Sequence, residues 1–167
     1  MQPRGRRRWD AIPDRKLSEY DELTQAIIGA AIRVHKALGP GLPEQVYQKA
    51  LAVGFAGAGL QFEREKRVDV HYNDVLVGEF YLDYLVEDAV VVELKALEQV
   101  SQVHLQQVIT YITILGRELG LLLNFGSGIL QPKRVIPPKA VQASQPYQQR
   151  VQTWKPVWTR QSRWVRE

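Results

Sequence analysis

Three ionisable side chains stand where buried strands are expected. Asp83 lies between Leu82 and Tyr84, and Glu93 and Lys95 flank Leu94 directly after Val90-Val91-Val92. A charge inside a buried strand costs several kcal/mol unless it is compensated. Two carboxylates with a lysine beside them therefore mark a candidate site, the alternative being a solvated edge face. Strand alternation supplies a geometric condition, because only residues on one face can meet. If Asp83 lies opposite Glu93, then Val86 pairs with Val90 and the connecting loop is 87–89. A two-residue turn at Glu87-Asp88 would point Asp83 away from Glu93.

Composition narrows the chemistry. The chain has 167 residues, 45% hydrophobic, and no cysteine. It is long enough for one domain with a real core, and disulfides and thiolate metal sites are excluded. The absence of cysteine suits a cytoplasmic location. His35, His71 and His104 lack the close spacing of a zinc pair, so the metal site that composition favours is a hard cation held by carboxylates. No apolar run approaches the ~18 residues of a membrane span, and no hydrophobic segment follows the arginine-rich start to make a signal peptide.

The formal net charge of +4 hides a division along the chain. Residues 1–16 hold six Lys/Arg against two Asp, residues 131–167 hold eight Lys/Arg against one Glu, and the stretch between is acidic. All four tryptophans, Trp9, Trp154, Trp158 and Trp164, lie in the basic ends. The expectation is a basic N-terminal tail over 1–16, a folded domain over 17–136 and a basic Trp-containing tail over 137–167. The C-terminal tail is read as a disordered or solubilising extension. Its basic and aromatic residues would otherwise make an arm that holds phosphates and stacks on bases, or one that binds a protein partner.

The elements that must position the site follow from periodicity and punctuation. Ser18 reads as an N-cap for a helix in which Leu23, Ile27, Ala30, Ala31, Val34 and Leu38 form one apolar stripe, stopped by Gly39-Pro40. His35 beside that stripe reads as a packing or cap residue. Gly41 closes a tight turn, and Pro43 opens a second helix with Glu44 at its positive end and Tyr47 one turn on. Strands are expected over 62–72, 75–86 with a bend or bulge at Gly78, and 90–95. Ser101 caps a third helix on which His104, Gln107 and Tyr111 share a polar side. Residues 119–125 read as a strand covered on both faces and 129–136 as an edge strand. The order predicts an α/β fold with a mixed sheet flanked by helices, without a Rossmann repeat or a glycine-rich phosphate loop.

These residues resemble a known family. Ala31-Ile32-Arg33-Val34-His35, Leu38-Gly39-Pro40-Gly41-Leu42, Glu44 and Tyr47 are similar to the GxxExxY family, a branch of the PD-(D/E)XK nuclease-like superfamily. Asp83 and Glu93-Leu94-Lys95 match the superfamily core, and Gln107 with Tyr111 matches a QxxxY element found in some members. The likeness spans about residues 17–130. It implies a restriction-endonuclease-like core and a nuclease acting on DNA or RNA with Mg2+ or Mn2+. Asp83, Glu93 and the Leu94 carbonyl would hold the ion, with Glu44 bound to it directly or through water. Lys95 would orient the attacking water or offset developing charge, while Gln107 and Tyr111, with His104 nearby, would support the site or touch the nucleic-acid backbone. The rival expectation is a non-catalytic adaptor, or a nucleic-acid or protein-binding module, on the same fold. Exposed strand edges also admit a homodimer.

Overall fold

The computed structural model describes residues 18–164. A 3-10 turn, Ser18–Tyr20, leads into α1 (Asp21–Leu38), followed by α2 (Glu44–Gly57), β1 (Phe62–Tyr72), β2 (Val75–Val86) and β3 (Val90–Lys95). Then come α3 (Gln102–Leu115), β4 (Leu119–Asn124), β5 (Gln131–Val135), α4 (Lys139–Ala143) and α5 (Gln145–Gln161). The five strands form one sheet in chain order, antiparallel except where β3 pairs with β4 in parallel. The α/β architecture with a mixed sheet is the one the element order predicts.

Alternation along the central strands divides the core in two. Val90, Val92, Leu94, Leu119, Leu121 and Leu123 face α1, α2 and α5, whereas Val91 and Leu122 face α3. Burial on both faces explains why β3 and β4 are nearly continuous apolar runs. Gly120 lets α3 settle closely on the sheet, because a Cβ there would strike the Val108 side chain.

Of the two registers, the one with the longer loop is formed. Val86 pairs with Val90, Leu85 with Val91 and Tyr84 with Val92, so the loop is 87–89. The bulge also appears where Gly78 indicated it, with the β1–β2 register shifting between Val70 and His71. Two starts differ in detail. α1 begins at Asp21 with Tyr20 as its N-cap, because Tyr20 is buried and its hydroxyl donates to Glu118 at 2.8 Å, so tertiary packing sets the entry. Pro43 occupies the N-cap of α2 and Glu44 is its first residue.

The C-terminal segment departs from expectation. Residues read as a disordered extension instead form α4 and α5, and α5 packs into the larger core through Trp154 and Trp158, the latter 2% exposed. A cationic and aromatic column fixes it. Arg117 lies over the Trp154 ring at 4.4 Å, Trp154 stacks on Trp158 at 5.4 Å and Trp158 stacks on Tyr20 at 5.2 Å. Lys155 adds ion pairs to Glu19 at 2.6 Å and Glu118 at 2.8 Å. Polar composition concealed this helix, since its apolar contact consists of a few large rings among glutamines. The alternative of a base-stacking arm thereby loses two of its tryptophans to packing. The basic tail expected over 1–16 lies outside the described residues.

Candidate functional site

β2 and β3 part company at the charged residues, and that divergence builds the site. In the register of the ladder, the pair after Tyr84–Val92 would be Asp83 opposite Glu93. There the side chains replace the ladder. Leu94 N–H donates to Asp83 Oδ2 at 2.8 Å, and Asp83 N–H points to Glu93 Oε2 at 3.4 Å. β2 also changes phase here. Leu82 and Tyr84 would share a face in a regular strand, yet Leu82 packs under α3 and Tyr84 under α1 and α2. On β1, Glu65 adopts φ 52° between Arg64, paired with Tyr84, and Lys66, paired with Leu82. A non-glycine residue with positive φ inside a strand is uncommon, and it accompanies this break in alternation.

The carboxylates meet with Glu93 buried and Asp83 half-buried. Glu93 is 3% exposed, and Lys95 Nζ stands 3.8 Å from its Oε1. Burial, reinforced by the charge of Asp83, pushes the Glu93 carboxyl up to about 8 against the pull of Lys95. Burial also raises Asp83, opposed by the Leu94 N–H and by Lys95. Glu44, at the head of α2, is raised by burial and by Asp83 and lowered by Lys95. Two neighbouring carboxylates, one buried and one half-buried, cannot both ionise cheaply, so without a counter-cation the pair retains a proton near neutral pH.

The structure thus unites Asp83, Glu93 and Lys95 and sets Glu44 within their field. Among the described residues, no three His, Cys, Asp or Glu side chains converge closely enough to hold an ion by themselves. Mg2+ does not require such a cage, since it is commonly held by one or two carboxylates with water and substrate phosphates completing the shell. The donor set of Asp83 and Glu93 is hard, oxygen-based and short of positive charge, which fits that ion. Leu94 buries its side chain in the core while its N–H orders Asp83.

The remaining expected residues divide between the site and its scaffold. Tyr111 accepts from Gln107 Nε2 at 3.0 Å, and its hydroxyl is raised by burial and by the fields of Glu93 and Asp83. His104 closes the capping box of α3, its Nδ1 accepting the Ser101 N–H at 3.0 Å, which is a structural task. Tyr47 donates to the Gly39 carbonyl and accepts from Leu42 N–H at 3.2 Å, closing the turn in which Gly41 takes φ 95°. His35 is buried, its Nε2 lying 2.9 Å from the Ser127 carbonyl and 3.2 Å from that of Phe125, so it serves packing as expected.

Two contributors escaped the sequence reading. Gln48 donates from α2 to Asp83 Oδ1 at 3.1 Å. Asn124, fully buried at the end of β4, grips the chain beyond Lys95. Its Oδ1 accepts Leu97 N–H at 3.0 Å and Gly126 N–H at 3.1 Å, and its Nδ2 donates to the Leu97 carbonyl at 2.8 Å. Phe125 N–H donates to the Lys95 carbonyl at 2.8 Å. The available signals were slight: Gln48 stands four residues after Glu44, and Asn124 is a polar residue ending an apolar run.

Neither a curated protein nor a solved structure matches the chain. A model of the PD-(D/E)XK nuclease superfamily matches residues 21–135, from the start of α1 to the end of β5, and the five-stranded mixed sheet with flanking helices is consistent with that fold. With most of its length matched and its strands in that arrangement, the chain belongs to the PD-(D/E)XK nuclease superfamily.

Proposed function

We propose that this protein is a divalent-metal-dependent nuclease that hydrolyses phosphodiester bonds of DNA or RNA. Asp83, Glu93 and Lys95 are its catalytic residues. The observation that supports this best is the adjacent Asp83–Glu93 pair, half-buried and buried, in which desolvation pushes both carboxyl groups upward. Asp83, Glu93 and the Leu94 carbonyl are assigned to Mg2+ or Mn2+, with Glu44 at the rim. The bound ion would polarise the scissile phosphate and lower the pKa of a water. Lys95, 3.8 Å from Glu93, orients that water or offsets charge on the phosphate oxygens. Gln107 and Tyr111 form a hydrogen-bonded pair beside the carboxylates, suited to touch the nucleic-acid backbone. Gly41, Glu44 and Tyr47 have the spacing of the GxxExxY branch, to which we assign the chain. The absence of cysteine suits a cytoplasmic enzyme, and among the described residues no helix is long and apolar enough to cross a membrane.

The test is cleavage of labelled single-stranded, duplex and branched substrates with Mg2+ or Mn2+, comparing wild type with Glu93→Ala and Lys95→Ala. Wild-type cleavage that both substitutions abolish is expected. Cleavage surviving both, or absent from every substrate, overturns the assignment.

A second reading, a protein-binding module without hydrolysis, has one observation in its favour. The β1–β2 hairpin exposes apolar side chains near its tip, with Tyr72 70% and Val75 61% exposed. Exposed apolar patches mark interaction surfaces more often than phosphate-binding ones. That reading includes a homodimer formed through this hairpin, and sedimentation of the full chain tests it.

A further inference from the structure

α2 reaches the carboxylate pair through a residue outside every recognised motif. Gln48 lies one turn beyond Glu44 on the same side of the helix and is 9% exposed. Its Nε2 donates to Asp83 Oδ1 at 3.1 Å, while Leu94 N–H holds Oδ2 at 2.8 Å. An ionised carboxylate only accepts, so the amide must turn its NH2 group toward Asp83, and chemistry fixes the orientation of Gln48. One oxygen of Asp83 is thus tied to a helix and the other to a strand. Each oxygen keeps a lone pair for a further partner.

The main chain of α2 at Gln48 is fixed in turn. The Tyr84 hydroxyl donates to the main-chain carbonyl of Gln48, and the Tyr84 ring sits edge-on to Phe55 and Phe62, with centroids at 5.2 and 5.5 Å. The residue before it, Tyr47, closes the 39–42 turn and stacks on Phe125 at 4.8 Å. Two adjacent side chains of α2 therefore connect the turn at its head with Asp83. The other buried residues of α2, Tyr47, Leu51 and Phe55, are aromatic or aliphatic, so a buried amide at position 48 gains nothing from packing that an apolar residue would not supply.

We propose that Gln48 is the positioning residue of Asp83, holding its carboxylate in the one orientation that lets it share a cation with Glu93. The role rests on the assignment of Asp83 and Glu93 as cation-binding groups. Outer-shell partners of metal-binding carboxylates are typically worth about tenfold to a hundredfold in metal affinity. Gln48→Met keeps the length and volume of the side chain and removes only the donor.

The experiment is calorimetric titration of Mn2+ into wild type, Gln48→Met and Glu93→Gln, with the metal-free unfolding transition of each recorded alongside. Q48M is expected to bind Mn2+ about tenfold to a hundredfold more weakly while its metal-free unfolding remains a single cooperative step, and E93Q is expected not to bind. A purely structural Gln48 would move the unfolding midpoint and leave the affinity alone. Wild-type affinity in Q48M, with E93Q unable to bind, overturns the role of Gln48 and leaves the site standing. Wild-type affinity in E93Q overturns the site, and the role of Gln48 with it. If Q48M does not fold, Gln48→Leu removes the same donor with a shorter apolar side chain. Several-fold weaker Mn2+ binding in that variant is then expected, and unchanged binding overturns the role.

Discussion

Asp83 and Glu93 each accept a backbone N–H from the other's strand, Leu94 N–H to Asp83 at 2.8 Å and Asp83 N–H to Glu93 at 3.4 Å, at the point where the β2–β3 ladder ends. Two carboxylates thus stand where ladder hydrogen bonds would otherwise close the sheet. The arrangement satisfies the backbone and leaves negative charge concentrated beside Lys95.

Stability without metal should fall as pH rises. In the unfolded chain Glu93 ionises near 4.5, and in the fold at about 8. Between those values the folded state holds a proton that the unfolded state has lost, so stability is greatest below the lower value and declines until the upper one. The decline is on the order of a few kcal/mol, because each tenfold difference in proton affinity between the two states is worth about 1.4 kcal/mol. Thermal unfolding in chelator from about pH 5 to pH 9 measures it, and Glu93→Gln should flatten the curve. A midpoint that rises over this range in wild type would falsify this account of buried Glu93 beside Asp83.

Divalent cation should reverse that decline. Mn2+ or Mg2+ must displace the Glu93 proton, so its stabilising effect is expected to be larger near pH 8 than near pH 6. At an ion concentration a hundred times the dissociation constant the gain is about 2.7 kcal/mol. Differential scanning fluorimetry at both pH values, with Asp83→Asn and Glu93→Gln as controls, is decisive. An equal shift in the controls would place the ion elsewhere.

Trp158→Ala is expected to destabilise the protein by about 3–5 kcal/mol, the usual range for deleting a buried tryptophan. It removes a ring that stacks on both Tyr20 and Trp154 and so loosens α5 from the larger core. Urea denaturation reads the loss. A change within experimental error would mean that α5 contributes nothing to the cooperative unit.

Gly126→Ala should disturb the segment beyond Lys95. A Cβ at Gly126 would collide with the backbone of Leu97, the residue that the Asn124 amide holds. A cost of about 1–3 kcal/mol is expected, as for other insertions into packed space, with faster amide exchange at Leu97. Asn124→Leu should accelerate the same exchange by removing the partner of that N–H. Protection of Leu97 unaltered in both variants argues against the clamp.

Residue pattern alone located the helices and strands between residues 21 and 135 and made an 87–89 loop the condition for Asp83 to meet Glu93, because these follow from local rules. Apolar period, turn residues and strand alternation act over a few residues and need no knowledge of distant partners. Only the assembled fold shows that Gln48 grips Asp83, that Asn124 clamps Leu97 and that His104 caps α3. It also decided that the basic C-terminal segment is a packed helix, since the worth of Trp154 and Trp158 depends on Arg117 and Tyr20, which lie far off in the chain. Side-chain hydrogen bonds and ring stacking between remote residues have no period, so a linear pattern does not register them. The suppressed charge of Glu93 belongs with these, because burial is a property of the assembled core.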